Sequence, residues 1–511
     1  MTQPIFPKSL SYPAVPLHAL LEKTAQILLE KPALICGTQE LSYTQLNRLS
    51  NRFANALLRL DVQRGDRVAL YLPNTPQFVV ACFGALKAGC VVTAVSPLHK
   101  ERVLQAQLCD SGAKVLVAFD GQQPIIDSLK EKPLHVITAD FADSTFSGLL
   151  SGLSEAEPGA EVSPATLAAL QYTGGTTGTP KAAMLTHKNL VSNATQFAAA
   201  INATQDDVFL AALPLFHIYG FTTSLTVPLS VGAKIVLLPK FEPTAVLCAI
   251  ERHRVTVFCG VPTMYQLLTA QPDLGNYDLA SIRVCVSGAS ALPPQTQKQF
   301  MAVTDGVLVE GYGLSEASPV THCNPPDRAT LHVGSIGFPL PDTEVRIVDL
   351  ETSTRPLPAG EVGELAVKGP QVMSGYWNRP EETALVLRDG WLLTGDIARM
   401  GPDGCFYLVD RKKDLIKHKG YSIYPRELED VLYEHPVVKL CAVVGKPVGM
   451  GDEVPVAFVV PKMGTAVSEE ELKAFVNCKV ASYMAIREVT FQEELPISAA
   501  GKVLKRALRK P

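Results

Sequence analysis

The chain has 511 residues, of which 47% are apolar and 19% charged. That composition supports a large buried core and excludes wholesale disorder, and at roughly 150 residues per domain the length implies about three domains, or one large body with an appendage. Forty-six basic residues against 50 acidic ones leave a net charge of −4, without the concentrated positive charge that neutralising nucleic-acid phosphates requires, so no nucleic-acid partner is expected.

The opening residues, MTQPIFPKSLSYPAVP, lack the basic start and apolar run of a signal peptide. From there the chain alternates strand-like and helix-like segments. GDRVALYL (65–72) has the short apolar run of a buried strand, and TPQFVVACFGALKAG (75–89) follows at helical spacing. AKVLVAFD (113–120) and HVITAD (135–140) read as further strands, then ATLAALQY (165–172). Residues 211–239 are apolar enough to suggest a membrane span, but Pro214, Gly220, Pro228 and Gly232 divide them, and His217 and Lys234 interrupt them. They are expected as buried core with an interior loop, so no transmembrane segment is expected; peripheral membrane contact stays open. VTVFCG (255–260), IRVCVSG (282–288) and VLVEGYG (307–313) are strands, with a helix at 293–303 between two of them. This alternation predicts an α/β fold with mainly parallel, helix-flanked sheets, whose ligand sites lie at the carboxyl ends of strands. After about residue 340 the pattern changes to strands joined by Gly/Pro turns, a β-rich subdomain. A small α+β tail follows, with a helix at 425–435, two strands, and a helix at 469–480 begun by a Ser468–Glu471 capping box. The expected boundary falls in the charged string 410–414, giving domains 1–411 and 412–511. The 11 cysteines are odd in number and contain no Cys-x-x-Cys, so they read as reduced thiols of a cytoplasmic protein.

The most informative segment is 172–181, Tyr-Thr-Gly-Gly-Thr-Thr-Gly-Thr-Pro-Lys. Gly174, Gly175 and Gly178 permit close backbone approach; Thr173, Thr176 and Thr177 supply hydroxyls, and Lys181 a positive charge. The ordinary P-loop is excluded, because Thr179 stands where a second glycine is required and Ala182 follows the lysine. Taken alone, the segment is a polyphosphate loop or a Gly/Thr-rich surface turn. Further along stand Glu310-Gly-Tyr-Gly-Leu-Ser-Glu316, Thr394-Gly-Asp396, the basic run from Asp410 to Pro425, and Ile497-Ser-Ala-Ala-Gly-Lys502. Singly, each has a plain reading as a strand end, a turn, a solvated linker or a basic tail. Gly313-x-Ser315-x-Ala317 lacks the second glycine of a hydrolase elbow.

Together, in this order, the five blocks resemble those of the adenylate-forming superfamily, which includes acyl-CoA synthetases, peptide-synthetase adenylation domains and luciferases. The resemblance covers nearly the whole chain, and Gly174 replaces the usual serine, as in fatty acyl-CoA synthetases. It implies an N-terminal AMP-binding body and a mobile C-terminal domain hinged near Lys413. It implies a phosphate loop at 173–181 with Thr176 near the metal. Gly288, Ala289 and Ser290 would form one wall of the adenine site, and Glu310, Gly311, Tyr312 and Gly313 the other, with Tyr312 stacked on the base. Ser315 would touch the α-phosphate, Glu316 would bind Mg²⁺, and Asp396 and Arg411 would hold the ribose. Lys502 would bridge carboxylate and α-phosphate during adenylation. Lys417 would approach the intermediate, with Lys419 and Gly420 near CoA. His217, in Pro214-Leu-Phe-His-Ile-Tyr-Gly220, would wall the acyl pocket.

The implied activity is an ATP-dependent acyl-CoA synthetase, an acid–thiol ligase using ATP, Mg²⁺ and coenzyme A on a small-molecule carboxylic acid. A medium- or long-chain fatty acid is the expected substrate. The alternatives are an acyl-AMP ligase that loads an acyl carrier protein, a hydroxycinnamate-type CoA ligase, and an inactive nucleotide- or acyl-binding protein.

Overall fold

The computed structural model describes residues 5–139, 147–173, 181–418, 421–449, 452–462, 464–497 and 503–509. The chain forms two compact units, Met1–Glu344 with Lys368–Leu392, and Val345–Val367 with Leu393–Pro511.

The first unit holds two large sheets. A six-stranded sheet runs His135–Ala139, Ala113–Phe119, Arg67–Tyr71, Val91–Ala94, Leu167–Thr173, Lys181–Thr186. It is parallel except at its last pair. The helix Pro76–Lys87 starts where the Thr75 hydroxyl accepts from the Phe78 N–H and Pro76 presets the first turn. All of its residues are buried, including Lys87, whose ammonium pairs with Glu22. That full burial extends apolar contacts beyond the helically spaced stripe read from the sequence to every side of the helix.

A nine-stranded sheet places Val307–Gly313, Val284–Ser287, Val257–Gly260, Val208–Ala211, Lys234–Leu237 and Pro32–Cys36 side by side in parallel. Antiparallel strands close both edges. The central strands are near-continuous Val, Leu, Phe and Cys because both faces are covered.

The stretch 211–239 is buried, as expected, but its interior is helical rather than a loop. Ile218–Phe221 runs into a π-turn at Thr222–Thr226 and a last helical turn, Val227–Val231, which ends at Gly232 with φ of 80°. Inside it, the Thr223 and Thr226 hydroxyls donate to the carbonyls of Tyr219 and Thr222. Local side-chain bonds of this kind let a threonine-rich segment stay helical in an apolar core while widening its turn. No helix among the described residues is long and apolar enough to cross a membrane.

In the second unit, strands Glu344–Val348, Val362–Lys368, Trp391–Met400 and Phe406–Arg411 pair in that order. The hairpin Ile416–His418/Tyr421–Ile423 follows. Then comes a three-stranded sheet of Val438–Gly449, Asp452–Pro461 and Glu488–Phe491. Helices Pro425–Tyr433 and Glu469–Asn477 share its core of Leu428, Leu432, Leu472 and Val476. Ser468 caps the second of them, accepting from the Glu471 N–H at 3.1 Å.

Candidate active site

Strands Leu167–Thr173 and Lys181–Thr186 pair antiparallel, with Thr173 opposite Lys181. The loop residues Gly174, Gly175, Thr176, Thr177 and Gly178 lie outside the described residues. The strands on either side pack against the short helical turn Ser315–Ala317. Segment 373–377 stitches these pieces together. The Met373 N–H donates to the Glu316 carbonyl at 2.8 Å, and the Trp377 N–H to the Ala182 carbonyl at 2.9 Å. Ser374 and Gly375 exchange backbone bonds with Met184. The Tyr376 hydroxyl donates to Glu316 Oε1 at 2.7 Å, while the Lys181 ammonium lies 5.5 Å from the Tyr376 ring centroid. Burial and the Glu316 carboxylate push the Tyr376 phenol well above its ordinary range, so it stays a donor.

A second tie secures the first strand of the hairpin. The Tyr172 hydroxyl donates to Asp110 Oδ2 at 2.7 Å, Arg379 Nη2 donates to Asp110 Oδ1 at 2.9 Å, and Trp377 Nε1 donates to the Asp110 carbonyl at 3.2 Å. Sequence reasoning missed Asp110, Tyr376, Trp377 and Arg379. The run Gly375-Tyr-Trp-Asn-Arg379, with one of the chain's 2 tryptophans, was the available signal.

The carboxyl end of Val307–Gly313 carries Glu310, Gly311, Tyr312 and Gly313. A Cβ on Gly313 would lie 2.1 Å from the Pro319 carbonyl oxygen, so this position admits only glycine as the chain folds back. Tyr312 is buried and meets the His322 ring edge-on at 5.8 Å. Burial holds His322 neutral, its pKa lowered to about 3. Glu310 is buried too, and its Oε2 accepts from the Leu292 N–H at 3.3 Å. Ser315 starts the turn that presents Glu316. The turn's far end is tied at two points: the Thr222 hydroxyl donates to the Ser318 carbonyl, and the Ser318 hydroxyl to that of Gln371.

Gly288, Ala289 and Ser290 follow the neighbouring strand Val284–Ser287, and Ala289 has φ of 71°. A Cβ on Gly288 would come within 2.9 Å of the Tyr219 ring, so the ring packs directly against this backbone. The Tyr219 hydroxyl is spent on the Val286 carbonyl at 2.8 Å. His217 caps the helical turn that carries Tyr219, its Nδ1 accepting from the Tyr219 N–H at 3.2 Å. Half-buried and so bonded, it has a structural task, whatever it touches besides.

In the second unit, Asp396 and Arg411 are register partners joined by an ion pair of 3.1 Å. Beside them Lys412 pairs with the buried Glu364 at 2.7 Å, and Glu364 accepts from the Gly395 N–H at 3.2 Å. Lys413 is exposed, yet its pKa is pulled down to about 8, by partial desolvation of the ammonium first and then by Arg411. Lys417 is exposed and donates to Ser422 across its hairpin at 2.9 Å. Lys419, Gly420 and Lys502 lie outside the described residues. The flanks of 498–502 are described: Ile497 bridges Val503, and the Leu504 N–H donates to the Pro496 carbonyl at 2.7 Å. Lys505 pairs with Glu429 at 2.7 Å, and Arg509 reaches Asp414 at 3.3 Å.

No group of three or more His, Cys, Asp or Glu among the described residues forms a metal cage. A magnesium ion that arrives on a polyphosphate needs no cage, since one or two carboxylates, the phosphate oxygens and retained waters fill its shell. Glu316, on the turn that packs against the strands flanking 174–180, could supply such a carboxylate.

The sequence matches the family model for AMP-binding enzymes over residues 21–377 and that for the AMP-binding enzyme C-terminal domain over 427–502. The chain belongs to the AMP-binding enzymes, as an acyl-CoA synthetase of the adenylate-forming superfamily. It is 40% identical to a long-chain-fatty-acid–CoA ligase of Bacillus subtilis (strain 168), over 98% of this chain and 95% of that one. It is 37% identical to a feruloyl-CoA synthase of Amycolatopsis sp., over 93% and 94%. Its fold superposes with a TM-score of 0.90 on the crystal structure of the anthranilate CoA ligase AuaEII in complex with anthranoyl-AMP, at 27% identity and covering 99% of this chain and 97% of that one.

Proposed function

We propose that this acid–thiol ligase acts on medium- or long-chain fatty acids. The acid attacks the α-phosphate of ATP, giving acyl-AMP and pyrophosphate, and CoA thiolate then displaces AMP from the acyl carbon. A carboxylate is a poor acyl donor because hydroxide leaves badly; AMP leaves well. The observation that carries the reading is the full-length similarity to a long-chain-fatty-acid–CoA ligase together with the match to both AMP-binding models, with Lys181 and Glu316 both brought to Tyr376 at the loop's flank.

In this reading the loop 173–178, with Lys181, cradles the phosphates, and Ser315 meets the α-phosphate. Glu316 and Thr176 would hold the magnesium ion, which when bound would offset charge on the phosphate oxygens. Tyr312 stacks on adenine between the 288–290 and 310–313 backbones, and Asp396 takes the ribose hydroxyls with Arg411 beside it. Lys502 supplies an ammonium to the charge that builds during attack on phosphorus. The tail beyond Lys413 then turns, replacing Lys502 by the loop of Lys417, Lys419 and Gly420 for the thiol step. His217 walls the acyl pocket.

Similarity to a feruloyl-CoA synthase favours a second reading, an aromatic acid as substrate. A panel of fatty and hydroxycinnamic acids, each with CoA and with a phosphopantetheinylated carrier protein, separates these. Turnover fastest with fatty acids and CoA is expected; preference for aromatic acids or for the carrier overturns the substrate or acceptor assignment. Carboxylate labelled with heavy oxygen must deliver label to AMP, and unlabelled AMP during turnover ends the adenylate account. Lys502→Ala is expected to slow acyl-adenylate formation by about a hundredfold and to spare thioester formation from supplied acyl-adenylate.

A further inference from the structure

The hydrogen bond from Tyr376 to Glu316 belongs to none of the roles above. Tyr376 is 9% exposed, and it is held from several sides. Its N–H donates to the Thr383 hydroxyl at 2.9 Å, its backbone bridges to Ala183, and both its neighbours are hydrogen-bonded to the Lys181–Thr186 strand. The ring is therefore fixed relative to the strand that begins with Lys181. Its hydroxyl lies 2.7 Å from Glu316 Oε1, and its face lies 5.5 Å from the Lys181 ammonium.

A glutamate on a surface turn normally samples many rotamers, and a ligand that needs one of them loses affinity to the ordering. A hydrogen bond from a rigid phenol removes that loss in advance. The carboxylate still accepts at both oxygens, so binding the phenol does not disqualify it as a partner for a hard cation.

We propose that Tyr376 is a positioning residue for MgATP, holding Glu316 and Lys181 in one arrangement before the nucleotide arrives. This rests on the reading of Glu316 as the carboxylate that faces the metal. Tyr376→Phe keeps the ring, its packing and its contact with Lys181, and removes only the hydroxyl. The full chain is titrated calorimetrically with ATP, without acid, in magnesium and in chelator, as wild type, Tyr376→Phe and Glu316→Gln. Tyr376→Phe is expected to weaken MgATP binding about tenfold, the upper end of what ordering one side chain costs, while metal-free ATP changes by less than about twofold. Glu316→Gln is expected to remove the advantage of magnesium altogether. If Glu316→Gln keeps that advantage, the reading of Glu316 fails. If Glu316→Gln loses it while Tyr376→Phe behaves as wild type, or weakens both forms of ATP equally, the positioning role of Tyr376 is overturned.

Discussion

Three buried histidines give the chain a defined acid sensitivity. His18, His187 and His322 all have pKa values lowered to about 3, chiefly by burial, with Lys87 adding to the effect on His18 and His18 on His187. The His187 Nδ1 accepts from the Leu17 N–H at 3.0 Å, which requires a neutral ring. In the unfolded chain each would take its proton near pH 6.5. Between pH 6.5 and about 3 the unfolded state therefore binds more protons, and stability falls as pH falls; above pH 7 the three contribute no slope. By pH 4.5 each site has lost about 2.5 kcal/mol of stability. His322→Gln removes one such proton, so its urea midpoint should fall less steeply than wild type between pH 6.5 and 5. Parallel pH profiles for the two proteins would refute the assignment of His322.

At the scale of elements, the turn between Gly313 and Pro319 is the most constrained. Gly313→Ala places a methyl against the Pro319 carbonyl, so it is expected to cost about 1–3 kcal/mol by overpacking and to weaken ATP binding with it. An unchanged melting temperature together with wild-type ATP affinity would show that the turn relaxes freely. In the tail, the half-buried Lys505 pairs with Glu429, whose other contact is the Val443 N–H. Burial lowers the pKa of Lys505, but the carboxylates of Glu429, Asp410 and Asp414 raise it further, leaving it charged. Lys505→Met should destabilise the second unit by about 3 kcal/mol by stranding Glu429, and adding Glu429→Gln should restore part of that. Equal melting of the single and double variants would mean that stranding Glu429 is not what costs the stability.

The elements themselves were largely legible. Buried parallel strands such as 284–287 and 307–313 announce themselves as short Val- and Leu-rich runs between turns, because both faces need apolar cover. Site residues were legible only where they cluster in sequence, as in 310–316. Asp110 and Tyr376 were not, because their partners lie 62 and 60 positions away and no local pattern encodes that pairing. The helical path of 218–231 was hidden for a different reason. Its proline and glycine suggest breaks, whereas Pro228 sits in the first turn of Val227–Val231 and Gly232 at its end.

For the whole molecule, the proposed two-step chemistry depends on the tail moving about Lys413. Here the tail and the 393–411 strands belong to one compact unit, and Arg509 ties the chain's last described residue to Asp414. Lys413→Pro removes a backbone rotation and an N–H donor, so it should spare acyl-adenylate formation and slow thioester formation. Stopped-flow measurement of each half-reaction decides it, and wild-type thiol transfer would move the hinge elsewhere. The Asp110 contacts carry another consequence, for recombination. Tyr172, Trp377 and Arg379 meet on one aspartate that the chain supplies far upstream of all three. A hybrid gene that exchanges only the middle of this protein for a relative's would separate those partners at its junctions. Crossovers that keep the four together should yield working chimeras more often than crossovers of equal length that do not.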